Sequence, residues 1–379
     1  MTPFEIIQTH YCRRDLAARA WKQKGGKVVG YFCDNVPEEL IQAAGFFPYR
    51  LSGDPTGTVE IAEKYPPTGT MAAPREGFVN SMFNRLMTGE YDFLDFLVVP
   101  HARETIHRLH QVLAEIKDQN PSFHLPELYF LDNLHTTFYW SGVYNRLRWR
   151  EFKTTLEQWS GKEITDMALS DAIAVTNENR TLLKKIAALR AADPPRISGT
   201  QALRIIGSSM FMLKEEHNRR LSQFLDELDK LSAKDGVRVF VEASPLDHLQ
   251  LYDIIESCGA IVVGEDHCWG NRYSDVLINT AGDPFEALAD RYHNKSPCPR
   301  MFPLSRRIDY CVNSAVSAGA QGAIINVYEF DEALMWEIPD AVKALEEKGI
   351  PSLHLRNQPY RIADPDLLTS RIREFIKSI

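Results

Sequence analysis

Short apolar runs alternate with amphipathic stretches toward both ends of this chain, and the spacing of polar positions separates strand from helix. "KVVGYF" (27–32) reads as a buried strand. It leads into "PEELIQAAG" (37–45), where Pro37 at the first turn, Glu38 and Glu39 behind it and Gly45 at the close predict a helix. After "FFPYRL" and a loop rich in Pro, Gly and Thr, "EGFVNSMFNRLMTGEYD" (76–92) has helical periodicity. The strand "FLVVPH" follows, then a helix over about 104–119 and a strand "LYFLDN" (128–133). Such alternation implies parallel strands covered on both faces.

From about 141 to 233 the strand signal stops. "SGVYNRLRWREFKTTLEQW", "TDMALSDAIAVTNENRTLLKKIAALRA", "SGTQALRIIGSSMF" and "KEEHNRRLSQFLDELDKL" read as helices, with a break at "DPPRISG" (193–199). Alternation then resumes with the strands "VRVFVEA" (237–243), "AIVVGED" (260–266), "GAIINVYEF" and "PSLHLRN" among helices. In "DPFEALADRYH", Asp283 is the expected cap, Pro284 the first turn and Glu286 the closing residue of a capping box. "PDLLTSRIREFIKSI" is a final helix. The expected fold class is α/β, with two Rossmann- or flavodoxin-like parallel-sheet domains and a helical segment between them. The expected boundaries are a helical lead-in at 1–25, a first α/β domain at 26–140, the helical segment at 141–235 and a second α/β domain at 236–379.

Composition narrows the function. A net charge of −8, with 51 acidic against 43 basic residues, argues against nucleic-acid binding. The basic cluster "YNRLRWREFK" (144–153) reads as a solvated helix face over Trp149, with a phosphate-bearing ligand as the alternative. No long apolar run occurs, and "MTPFEIIQTHYCRRDLAARAW" carries charges where a signal peptide needs an apolar core, so a cytoplasmic location and no membrane partner are expected. Cys12, Cys33, Cys258, Cys268, Cys298 and Cys311 show no C-x-x-C spacing, which indicates neither a disulfide framework nor a zinc site. A P-loop, G-x-G-x-x-G after the first strand, H-E-x-x-H and G-x-S-x-G are all absent.

In an open parallel sheet, ligands gather beyond the carboxyl ends of the strands. Those positions read Cys33 and Asp34; His101, Arg103 and Glu104; Glu265, Asp266 and His267; and Glu329 and Asp331. Simpler roles compete with function here. Glu104 and Arg108 have surface-pair spacing, as do Arg103 and His107, and Asp331 is placed to cap the following helix. "GEDHCWGNR" (264–272) gathers Glu, Asp, His and Cys but lacks a second group at ligand spacing, so no metal is expected there.

"KVVGYFCDNVPEELIQAAGFFPYRLSG", "TGEYDFLDFLVVPHARETIHRL", "RISGTQALRIIGSSMF", "DPFEALADRYHNKSPCPRM" and "PDAVKALEEKGIPSLHL" resemble the paired subunits of 2-hydroxyacyl-CoA dehydratases and benzoyl-CoA reductases, in order from about residue 5 to the end. The resemblance implies a dimer of similar α/β subunits, each usually holding a [4Fe-4S] cluster through three cysteines near an acyl-CoA thioester. It further implies an ATP-dependent iron–sulfur activator protein that supplies single electrons, and a ketyl radical formed on the thioester. The family's first cysteine, followed by Asp in a pattern like P-x-x-C-D-x-I-x-R-L, falls here on Arg103 and Glu104. The other two fall on Glu76 in "EGFVNS" and Asp331 in "YEFDEALMW".

Arg, Glu and Asp do not hold a cluster, so the chain is expected to bind no cofactor there and to carry a salt-bridged group instead. Glu76, Arg103 and Asp331 are therefore the candidate catalytic residues, and Cys33, Asp34, Ser52 and Gly53 the candidate substrate contacts. The leading expectation is a cluster-free subunit whose homologous partner bears the [4Fe-4S] center. The alternatives are a non-redox enzyme acting on an acyl-CoA through the three charged residues, and a non-catalytic assembly or binding protein. The acyl group, and the choice between dehydration and ring reduction, stay open.

Overall fold

Two parallel sheets trace the same path through this chain. The structure, a computed structural model, describes residues 1–61, 76–120, 123–227 and 231–379. Helices α1 (Pro3–Cys12) and α2 (Leu16–Gln23) precede the first α/β unit, β1 (Val28–Tyr31), α3 (Glu38–Ala43), β2 (Phe47–Arg50), α4 (Gly77–Met87), β3 (Phe96–Pro100), α5 (Glu104–Gln119) and β4 (Glu127–Leu131). The helical middle is α6 (Tyr139–Ser160), α7 (Asp166–Ala191), α8 (Gly199–Ser208) and α9 (Lys214–Leu225). The second unit is β5 (Val237–Ala243), α10 (Gln250–Ser257), β6 (Ala260–Asp266), α11 (Pro284–Asn294), α12 (Leu304–Ser317), β7 (Gly322–Tyr328), α13 (Glu332–Glu346), β8 (Ser352–Gln358) and α14 (Pro365–Ser378). The strand orders are β2-β1-β3-β4 and β6-β5-β7-β8, the same topology twice, which no sequence similarity between the halves reveals. The proline- and glycine-rich loop expected before residue 76 lies partly outside the described residues.

Burial on both faces explains the unbroken apolar strands. Every residue of β1, β3, β6 and β7 is buried. Gly30, central in β1, has no room for a side chain, because a Cβ there would sit 2.8 Å from methyl groups of Leu51 and Leu94. One apolar cluster joins the two sheets, with Val28, Phe47 and Leu97 from the first and Val239, Val262 and Ile324 from the second. A second covers the other face of the first sheet with Trp149, Phe152 and Leu169 from the helical middle. Helix α11 follows β6 in the chain yet packs Phe285, Leu288 and Tyr292 into this same cluster. A third, with Cys311, Leu334 and Ile338, covers the second sheet.

Several local signals take a different form in three dimensions. Glu38 and Glu39 in α3 are buried rather than surface residues of a first turn. Glu38 pairs with Lys214 at 3.1 Å, and Glu39 pairs with Arg180 and accepts from Tyr292 Oη at 2.8 Å. Asp283 caps α11 by accepting from Glu286 N, at 2.9 Å, while the Glu286 carboxylate turns to Arg146 and Arg150 and leaves the box half formed. Those contacts also account for the basic cluster, whose Arg148 and Lys153 pair with Glu151 and Glu157 over a buried Trp149. Among the described residues, no helix is long and apolar enough to cross a membrane.

Candidate functional site between the two sheets

The carboxyl ends of the two sheets face one cavity of about 70 Å³. Cys33 and Asp34 reach it from the turn after β1, Arg103 from the turn after β3 and His135 from the segment after β4. Ser244 comes from the end of β5, Cys268 from beyond β6 and Asp331 from the turn after β7. The loop between α11 and α12 closes it with Lys295, Cys298 and Arg300. Two of these turns hold a side-chain-bearing residue in the left-handed region, Cys33 at φ 62° and Phe330 at φ 67°. Each costs roughly 1–2 kcal/mol, a strain concentrated where the chain must turn sharply into the cavity.

At one wall the Arg103 guanidinium bridges two carboxylates. One of its terminal nitrogens pairs with Glu76, and the other lies 2.7 Å from Asp331 Oδ1. Thr105 Oγ1 donates to Glu76 at 2.7 Å and Ser244 Oγ donates to Asp331 at 2.8 Å, while Arg300 approaches Asp331 at 3.8 Å. The Phe78 ring lies 5.3 Å from the guanidinium carbon. All three charged groups are buried. Burial raises Glu76 above the ordinary carboxyl range despite Arg103, whereas at Asp331 the burial penalty is outweighed by Arg103 and the Ser244 hydroxyl, which hold it low. Asp331 occupies the cap position of α13 but makes no side-chain capping bond, because its oxygens face Arg103 and Ser244.

The other sequence-derived candidates divide. Asp34 pairs with Lys295 at 2.9 Å; burial opposes its ionization, but Lys295 and then Arg50 hold it well below the ordinary range. Burial pushes the Cys33 thiol up to about 12. Ser52 and Gly53 do not border this cavity: the Ser52 carbonyl accepts from Tyr91 and Arg85, and Gly53 N donates to Asp247 at 2.6 Å. Glu104 pairs with Arg108 at 2.9 Å, His107 stacks on Phe130 and His101 meets Asp132 at 2.8 Å.

Within "GEDHCWGNR", alternation along β6 sends Glu265 and Asp266 to opposite sides, while Glu265 and His267 meet the same Tyr252 hydroxyl. Glu265 pairs with Arg190, Asp266 with Arg307 at 2.5 Å, His267 with Tyr252 Oη at 3.0 Å and Cys268 Sγ with Arg50 at 3.1 Å. Among the described residues, Glu242, Asp266 and Cys311 lie close enough to share an ion. Arg307, in contact with Glu242 and Asp266, already supplies the balancing charge.

Sequence reasoning passed over His135, Lys295, Cys298 and Asn35. His135 follows the end of β4, so the strand-end rule applied to that strand finds it. Cys298 and Lys295 stand on a loop, and nothing local brings them to the sheet ends.

Comparison with known proteins adds a family match and three relatives. The family described as 2-hydroxyglutaryl-CoA dehydratase, D-component, matches residues 33–379. The chain is 25% identical over 335 residues, 87% of its length and 86% of the relative's, to the (R)-phenyllactyl-CoA dehydratase beta subunit of Clostridium sporogenes. It is 26% identical to a benzoyl-CoA reductase subunit of Thauera aromatica, over 90% of this chain and 88% of that one, and 25% identical to the beta subunit of (R)-2-hydroxyglutaryl-CoA dehydratase of Acidaminococcus fermentans, over 88% of each.

Proposed function

The chain belongs to the 2-hydroxyglutaryl-CoA dehydratase D-component family, and we propose that it is the cluster-free subunit of a heteromeric complex acting on an acyl-CoA. The complex is of the 2-hydroxyacyl-CoA dehydratase or benzoyl-CoA reductase type. A homologous subunit holds the [4Fe-4S] center, and an ATP-dependent iron–sulfur protein delivers the electrons.

One observation carries this reading: Glu76, Arg103 and Asp331, from three separate elements, meet as a buried ion-paired group at the sheet-end cavity. These residues do not fit a cluster. Arg103 has no lone pair to give, and its terminal nitrogens are already directed at the two carboxylates. In this reading the chain contributes a buried, ion-paired wall to the cavity and a surface for its partner.

Anaerobic co-expression with the cysteine-bearing homologous subunit tests the proposal. Iron and sulfide are expected to remain with the partner when the chains are separated, and acyl-CoA turnover is expected to need both chains and the activator. Stoichiometric iron and sulfide in this chain purified alone overturns the reading, and so does unaided turnover, which instead favors a self-sufficient enzyme.

A further inference from the structure

The same cavity carries a second arrangement. Cys298 Sγ lies 4.0 Å from His135 Nδ1, and His135 Nε2 lies 2.7 Å from the carbonyl oxygen of His101. A carbonyl can only accept, so Nε2 carries the ring proton and Nδ1 turns its lone pair toward the thiol. Nucleophile, base and orienting acceptor thus stand in sequence, as an activated thiol requires.

The surroundings favor the thiolate. Burial alone raises a thiol, yet His135, followed by Lys295 and Arg272, brings Cys298 down to about 6. Of the acidic groups on the same cavity, Asp34 is paired with Lys295 and Asp331 with Arg103, with Arg300 beside it. Neither carboxylate is left unpaired to oppose a negative sulfur.

An independent feature points to a ligand. Asn35 borders the same cavity and is 6% exposed; its Nδ2 donates to Asn133 Oδ1 at 3.2 Å, while its buried Oδ1 has no donor. An unpaired buried acceptor is unfavorable until something brings it an N–H or O–H group. The space, about 70 Å³, suits a carbonyl bearing a short chain.

We propose that Cys298 and His135 form a nucleophile–base pair that accepts the acyl group of a short-chain acyl thioester. His135 takes the thiol proton, Cys298 Sγ bonds to the thioester carbonyl carbon, and the carbon–sulfur bond to coenzyme A breaks. The proton passes from His135 to the departing sulfur. The products are acyl-Cys298 and free coenzyme A thiol, with no change in oxidation state. The choice of a thioester rests on the function proposed above; the nucleophile does not.

The test uses the full chain alone with acetyl-CoA near pH 7, followed by an acid quench, intact mass and peptide mapping. One acetyl group on Cys298, labile to hydroxylamine, with an equal amount of coenzyme A released, is expected. Cys298→Ala is expected to abolish it and His135→Ala to slow it by roughly a hundredfold. Iodoacetamide alkylation of Cys298 is expected to be half-maximal near pH 6 and to move toward the ordinary thiol range, about 8.5, in His135→Ala. No acetylation of the wild-type chain, acetylation elsewhere, or a rate unchanged in His135→Ala overturns the proposal. Partner subunit and activator are absent from this assay, so its outcome is separate from that of the complex.

Discussion

Arg103 shows how one side chain sets the character of a site. Removing it leaves Glu76 without its guanidinium and Asp331 with only Arg300, at 3.8 Å. Breaking a buried ion pair from one side costs about 3–5 kcal/mol, so Arg103→Met is expected to lose that much in urea unfolding at pH 7. The triple variant Arg103→Met, Glu76→Gln, Asp331→Asn is expected to regain most of it, because the stranded charges are gone. A single variant as stable as the wild type would mean that water reaches the carboxylates freely. These three residues were legible in the sequence through family resemblance, which placed them where thiols usually stand. The Cys298 and His135 pair was not, because 163 positions separate its members and no periodicity links a loop to a distant strand end.

At the scale of elements, apolar periodicity located the strands and helices well, since the inner strands β1, β3, β5 and β7, with β2 and β6, are buried along most of their length, while the edge strands β4 and β8 are mostly half-buried. The strands at 237–243 and 260–266 and the helix at 104–119 fall where the pattern puts them. What the pattern hides is which partner a polar end group chooses. Glu286 and Asp331 both stand where capping chemistry is expected, and a guanidinium from another element claims each. At α8 local and long-range demands agree. Ser198 and Gln201 form a complete capping box, and Gly199 brings the helix against β6 so closely that an added Cβ would lie 2.5 Å from Val262 Cβ. Gly199→Ala is expected to destabilize by about 1–3 kcal/mol through this overlap, and Ser198→Ala by about 1 kcal/mol through the lost cap. Thermal unfolding of both variants checks the ranking.

Across the whole molecule, the apolar cluster that joins the sheets makes the two α/β units one cooperative body. Asp247 reinforces the junction, accepting from Gly53 N of the first unit and, at 2.8 Å, from Tyr360 Oη of the second. One unfolding transition is therefore expected, coincident by far-ultraviolet circular dichroism and tryptophan fluorescence. Two separated transitions would mean that the halves fold independently. The repeated strand order has its own consequence. Arg103 and Asp331 stand at matching places, each the third residue beyond the third strand of its sheet's chain order (100 to 103 and 328 to 331). If either half associated with a copy of itself in the same arrangement, the encounter would set Arg against Arg or Asp against Asp. This chain instead carries an Arg at one of the two equivalent positions and an Asp at the other, so the meeting of the two units sets opposite charges face to face at the cavity wall.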